Sequence, residues 1–183
     1  MESKRKTRTN EVLIDTFFEL MKDRPVNSVS VTELCRKAGI NRSTFYAKYP
    51  TIEDLKDAAF DWVVRSLFDD AVRDIPSFNG EHIAEKITRK ILSGIKNDMK
   101  TFKKINEYNR NILFFNSDSL VDRYLLERCK TPGREVENDV VFFKNGLNGI
   151  INDWIRNNCR ESVDDIAFYV VYIMHKIFDE VWY

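Results

Sequence analysis

Residues 30–55 read SVTELCRKAGINRSTFYAKYPTIEDL, and this stretch decides the fold. Ser30, followed three residues later by Glu33, has the form of a capping box, in which each side chain meets the other residue's backbone amide. Val31, Leu34, Cys35 and Ala38 then fall on one face of a helix. Gly39 supplies the left-handed turn that stops it. Ile40 points back to the core, and Asn41 is placed to cap a following helix over Arg42–Lys48. Two short helices joined by a glycine turn make a helix-turn-helix. Tyr49-Pro50 ends the second, and Thr51, with Asp54 three residues on, opens a third.

Upstream, Leu13, Phe17, Leu20 and Met21 repeat at helical spacing, so a helix is expected from Thr9 to Lys22, capped by Thr9 or Asn10 and stopped at Arg24-Pro25. Downstream, Leu55, Ala58, Ala59, Trp62, Val63, Ser66, Leu67 and Val72 lie on or near one stripe of a long helix. Residues 75–80 (IPSFNG) read as a linker. Ile83, Ile87, Ile91 and Ile95 recur every fourth residue in a helix from His82 to about Met99. Shorter helices are expected over Thr101–Phe115 and Leu120–Cys129, with a break at Thr131-Pro132-Gly133. Glu135–Asn157 reads as a long helix despite Gly146 and Gly149, which are expected at a close helix contact because exposed glycines there would cost about 2 kcal/mol against alanine. Ser162 caps a last helix, with Asp164 and Asp165 in its first turn, running through Ile166, Val170, Ile173, Ile177 and Val181. The pattern gives an all-α chain of about nine helices.

The 183 residues are 43% hydrophobic and 32% charged, with only 6 glycines and 4 prolines. That composition suits a globular helical protein and excludes a disordered one. No apolar run reaches the roughly 20 residues of a membrane span. The charged start, MESKRK, leads into no signal core, so a cytoplasmic protein with no membrane partner is expected. Net charge is zero, yet residues 1–50 hold 10 basic and 6 acidic residues against 19 and 23 in the remainder. A basic head on an acidic body can hold phosphates locally without sticking to every anion. Cys35, Cys129 and Cys159 make neither a metal-ligand spacing nor a disulfide framework, and buried or half-buried thiols are the simplest reading. His82 and His175 have no ligand neighbour at suitable spacing. No metal and no cofactor are expected.

The helix-turn-helix stretch resembles the DNA-binding domain of the TetR/AcrR family of transcription regulators. The matching residues are Thr32, Ala38-Gly39-Ile40, Thr44, Tyr46, Tyr49, Glu53 and Leu55, and Asn41-Arg42-Ser43-Thr44-Phe45-Tyr46 resembles the recognition helix of one branch. A second similarity, over Phe142-Phe143, Gly146, Gly149-Ile150-Ile151, Trp154-Ile155 and Glu161-Ser162, is to the C-terminal domain of that branch. The resemblance implies a three-helix DNA-binding domain over residues 1–50. It implies a helical effector-binding and dimerisation domain over 51–183. Two departures stand out: Lys48 replaces the usual recognition-helix histidine, and Ile52 replaces the usual lysine that opens the next helix.

The residue chemistry suits this reading. With Leu34, Ala38, Ile40 and Phe45 packing the two helices together, Arg42, Ser43, Thr44, Ala47 and Lys48 are left for a major groove. Arg42 matches guanine O6 and N7, Ser43 several base edges, and Ala47 a thymine methyl. Thr44, Tyr46 and Lys48 suit phosphates, and Thr32 a phosphate or a base. Lys4, Arg5, Lys6 and Arg8 are expected to add contacts from a flexible arm. Tyr49 reads better as core. A homodimer is expected through the last two helices, with Phe143, Leu147, Ile151, Trp154, Ile166, Val170, Ile173 and Ile177 at its interface. Trp62, Tyr108, Phe114 and Tyr124 are candidates for an effector pocket, or equally for plain core.

The leading function is therefore a repressor that binds palindromic double-stranded operator DNA as a dimer and is released by a small-molecule effector. The alternative is a helical co-regulator that keeps the fold but acts through a protein partner, a reading that the loss of lysine at Ile52 leaves open. An enzyme is not expected. There is no nucleophile–base set, no His-Glu-x-x-His and no glycine-rich phosphate loop.

Overall fold

The computed structural model describes residues 2–73, 82–109 and 134–178. Among the described residues there are eight α-helices, one 3-10 turn and no strand. The chain divides into two compact units, Met1–Val63 and Val64–Tyr183.

In the first unit, α1 (Glu2–Met21) is followed by the 3-10 turn Val26–Ser28, α2 (Val31–Ala38), α3 (Arg42–Tyr46) and the start of α4 (Ile52–Val72). Its core is apolar and continuous: Leu13, Ile14, Phe17 and Met21 from α1, Leu34 from α2, Phe45 from α3, and Leu55, Ala59 and Phe60 from α4 are all buried. The Phe17 and Phe60 rings meet edge to face, with centroids 5.7 Å apart, a favoured aromatic geometry. The backbone of α1 is already helical at Glu2, so the expected start at Thr9 and the expected flexible arm over residues 4–8 are corrected. Nothing in the sequence there breaks a helix, and the arm simply continues the helical backbone.

Ser30 caps α2 by accepting from the Glu33 amide at 3.3 Å. The return half of the capping box does not form, because the Glu33 carboxylate pairs with Arg24 at 2.8 Å instead. Arg24 Nε also donates to the Leu20 carbonyl at 2.8 Å, closing the end of α1. One guanidinium thus joins the end of α1 to the first turn of α2. Gly39 ends α2 with φ of 66°, and the Ile40 amide reaches back to the Cys35 carbonyl at 3.0 Å. An added Cβ at Gly39 would meet nothing within 4 Å, so glycine is required there by conformation and not by space.

Asn41 sits in extended geometry before α3 but makes no side-chain cap bond, contrary to expectation. The α-helix proper ends at Tyr46 and not at Lys48, although the chain stays coiled: the Tyr49 amide bonds the Phe45 carbonyl at 2.8 Å. At α4 the box is complete. The Thr51 amide donates to Asp54 at 2.8 Å, and the Asp54 amide donates back to Thr51 Oγ1 at 3.2 Å.

The second unit contains the rest of α4, α5 (Ile83–Asn97), α6 (Met99–Tyr108), α7 (Arg134–Arg156) and α8 (Val163–Phe178). Asp98 separates α5 from α6 and caps α6. The main packing is of α8 along α5, and of α6 and α8 against α7. Ile83, Ile91 and Ile95 of α5 are buried and Ile87 is half-buried, as their spacing implies. Val140, Phe143, Val170, Met174 and Phe178 form one core cluster, with Leu147, Ile166, Ile173 and Ile177 packed at its edge. Between α7 and α8 the chain turns on two non-glycine residues of positive φ, Asn158 and Cys159. The Cys159 amide bonds the Trp154 carbonyl at 2.8 Å, and the Trp154 indole donates to the Glu161 carbonyl at 3.2 Å. Ser162 caps α8 through the Asp165 amide at 3.0 Å.

Of the expected features, the linker over 75–80, the helix Leu120–Cys129, the Thr131–Gly133 break and Val181 lie outside the described residues. Among the described residues no helix is long and apolar enough to cross a membrane. Cys35 and Cys159 are free and buried, and burial pushes both thiols up.

Candidate nucleic-acid interface

The helix α3 is too short to stand alone, since a single turn of helix is unfavourable in water. It is held by Phe45, which is 0% exposed. The Phe45 ring lies 5.9 Å from the ring of Tyr49, itself buried. The Tyr49 hydroxyl donates to Asn10 Oδ1 on α1. Burial pushes the Tyr49 phenol above its ordinary range, so it remains a donor at neutral pH.

With Phe45 turned inward, Arg42, Ser43, Thr44, Tyr46, Ala47 and Lys48 are all exposed, and so is Thr32 on α2. All seven therefore present from one short helix-turn-helix segment. Tyr46 packs edge to face on Phe45 at 5.3 Å, which fixes its ring while the rest stays in solvent. The Lys48 ammonium lies over the Tyr49 ring at 5.9 Å, a cation–π distance that positions the charge. Across the other side of α2, Lys37 pairs with Glu19 of α1 at 3.0 Å. The Arg24 hydrogen bond holds the Glu33 carboxyl below its ordinary value. Both pairs set α2 against α1, and α2 in turn packs on α3.

The position that departs most, Ile52, is half-buried at the first residue of α4. One turn later stands Lys56, but its side chain is only 3% exposed. Its ammonium bonds Asn27 Oδ1 at 3.2 Å and Glu53 at 3.3 Å. Lys56 thus ties the 3-10 turn to α4 and presents no charge at the surface.

Residues 13–59 match the family model of the bacterial regulatory proteins, tetR family. The matched segment begins at Leu13 in α1 and ends at Ala59 in α4, so it contains the whole helix-turn-helix. No curated protein matches the chain in sequence. Among solved structures, the chain is similar to the dihydroxyacetone kinase operon activator DhaS, with a TM-score of 0.61 and 16% identity, over 93% of this chain and 96% of that one. At that identity the likeness is one of fold, and it agrees with the all-helical architecture of the described residues.

Phe143, Ile151, Trp154 and Val170 are buried within the chain itself, and Leu147, Ile166, Ile173 and Ile177 are half-buried. The apolar side chains that α7 and α8 turn outward are others: Val141, Phe142, Phe168, Tyr169 and Tyr172, with Phe142 and Phe168 each 71% exposed. Phe168 and Tyr172 stack at 6.5 Å. A Cβ at Gly146 or Gly149 would meet nothing within 4 Å among the described residues, whereas one at Gly94 would lie 2.3 Å from Leu67 Cδ1. The intrachain close approach is therefore at Gly94, which the sequence reading did not single out. Trp62 falls in the first unit and is half exposed, and Tyr108 is half-buried in the second. Phe114 and Tyr124 lie outside the described residues.

Proposed function

We propose that this chain is a TetR-type transcription regulator. It reads operator DNA with α2 and α3, works as a homodimer, and answers to a small molecule held in the second unit, with repression as its main output. The observation that carries the reading is the division of α3 by Phe45. A fully buried aromatic holds the helix from behind, and the arginine, serine and threonine before it and the tyrosine, alanine and lysine after it are exposed to solvent, inside the segment that matches the tetR family. Arg42 then supplies paired donors for guanine, Ser43 and Ala47 read neighbouring base edges, and Thr32, Thr44, Tyr46 and Lys48 hold phosphates.

The proposed dimer uses the outward faces of α7 and α8. Phe142, Phe168, Tyr169 and Tyr172, with the open backbone at Gly146 and Gly149, offer a second copy a large apolar contact that one subunit leaves in water. Two heads about 34–36 Å apart then meet successive major grooves. The test is selection of bound sequences from a random DNA pool, followed by binding across a salt series. A palindromic consensus bound with steep salt dependence supports the proposal. Failure to enrich any sequence at low salt overturns it.

Two second readings each have an observation behind them. Ile52 in place of lysine, with Lys56 turned inward, removes one phosphate anchor and favours a co-regulator that acts through a protein partner. The similar fold of a protein named as an operon activator favours activation in place of repression. The same selection separates the first, and a reporter driven from the selected operator separates the second.

A further inference from the structure

Among the described residues of the second unit, the buried polar side chains are three asparagines: Asn106 on α6, and Asn148 and Asn152 on α7. They are 5%, 7% and 7% exposed. Asn148 and Asn152 are one helical turn apart and so share a face. The Asn106 Nδ2 donates to the Asn152 backbone carbonyl at 3.2 Å, which joins α6 to α7 at that turn. Its other end is unused: the Asn106 Oδ1 is buried and accepts no hydrogen bond. The same two helices also contribute Phe102, Ile105 and Ile155, all buried and apolar.

A buried acceptor without a donor is rare in a folded protein and destabilises it. A leucine at position 106 would fill a similar volume without that penalty. The amide is thus costly to the chain alone and becomes favourable once a donor arrives. No buried charge stands in the unit among the described residues, so a charged guest would find no counter-ion there. We infer that the α6–α7 layer is a recognition site for a small neutral molecule with an apolar body and an O–H or N–H group, which donates to Asn106 Oδ1 beside the Asn148 and Asn152 carboxamides. This rests on the reading of the second unit as the effector-binding body and gives that effector a chemical class.

The test uses the full chain, uniformly labelled with nitrogen-15, and two matched probes: benzyl alcohol, which can donate, and benzyl methyl ether, which cannot. The alcohol is expected to shift the Asn106 side-chain amide resonances and to bind at least tenfold more tightly than the ether. Asn106→Leu is expected to bind both alike, and to unfold at the same or a higher temperature than the parent without ligand. Equal binding of the two probes by the parent, no binding of either at millimolar concentration, or a preference that survives in Asn106→Leu each overturns the inference. A marked fall in the unfolding temperature of Asn106→Leu does the same, because it makes the amide structural. A buried water as the sole donor shows as no displacement by the alcohol and also counts against it. None of these readouts uses DNA, so the site can fail while operator binding stands, and the reverse.

Discussion

The hydroxyl of Tyr49 donates to the carboxamide of Asn10, tying the turn after α3 to α1 across the first unit. The bond is made by a buried phenol, so removing it leaves Asn10 to find water. Tyr49→Phe is expected to lower stability by about 0.5–1.5 kcal/mol, read from urea unfolding at neutral pH. Burial raises the phenol pKa above its ordinary 10.0 in the folded chain. Its contribution is therefore complete below pH 10 and is lost as pH climbs through the raised folded value. The parent should lose stability relative to Tyr49→Phe only on that alkaline side. A difference that is flat with pH refutes the assignment.

Arg42→Ala is expected to weaken specific DNA binding by about 1–3 kcal/mol and to relax preference at one base pair in each half-site. The residue stands exposed at the first position of α3. Repeating the sequence selection with the variant checks this. An unchanged consensus would remove Arg42 from base readout.

Lys48→Ala is expected to lower affinity for all sequences alike. It should flatten the log–log salt dependence by about one unit for each phosphate that a subunit no longer neutralises. Lys48 is held over the Tyr49 ring, so its charge is placed and not merely tethered. Titrations at four salt concentrations give the slope, and a slope equal to the parent's places Lys48 away from the backbone.

Glu33 reports on the acid side. Its carboxyl is held below the ordinary 4.5 chiefly by the Arg24 hydrogen bond. Its contribution is therefore complete above about pH 4.5 and fades as pH falls through the lowered folded value. Glu33→Gln should melt below the parent at pH 7, with the gap closing toward pH 3. Thermal unfolding at the two pH values checks this, and a gap that persists at pH 3 assigns the effect to something other than the ion pair.

A charge on the outward face of α7 should separate subunits without unfolding them. Phe142 is mostly exposed in one subunit, so Phe142→Asp is expected to give a folded monomer by sedimentation with the parent's helical content. Ile151 is buried, and Ile151→Asp is expected to unfold the chain, a charge in the core lacking any partner. A parent that sediments as a monomer at micromolar concentration ends the dimer proposal.

Much of this fold was legible in the sequence because its punctuation is local. Ser30, Gly39, Thr51 and Ser162 act on residues within one turn, and each takes the role its chemistry suggests. What escaped depended on distance along the chain. Glu33 abandons the Ser30 amide for Arg24, a partner nine residues back. Asn158 and Cys159 turn the chain with no glycine to announce the turn. At the candidate site, the alternation of Phe45 with its exposed neighbours follows from helical period. The outward set on α7 and α8 does not, since both faces of those helices carry apolar residues. Phe143 and Phe142 are adjacent and equally hydrophobic, and only packing decides which is buried.

The shortness of α3 has a consequence for binding kinetics and heat. Its five residues are shaped by Phe45 and Tyr49, so the proposed reading surface exists before any duplex arrives. Under the proposed function, encounter with DNA requires no folding step, and the association rate should respond to ionic strength through steering and not to helix-promoting solvents. The heat-capacity change should track the contact area alone, without the larger negative value that accompanies coupled folding.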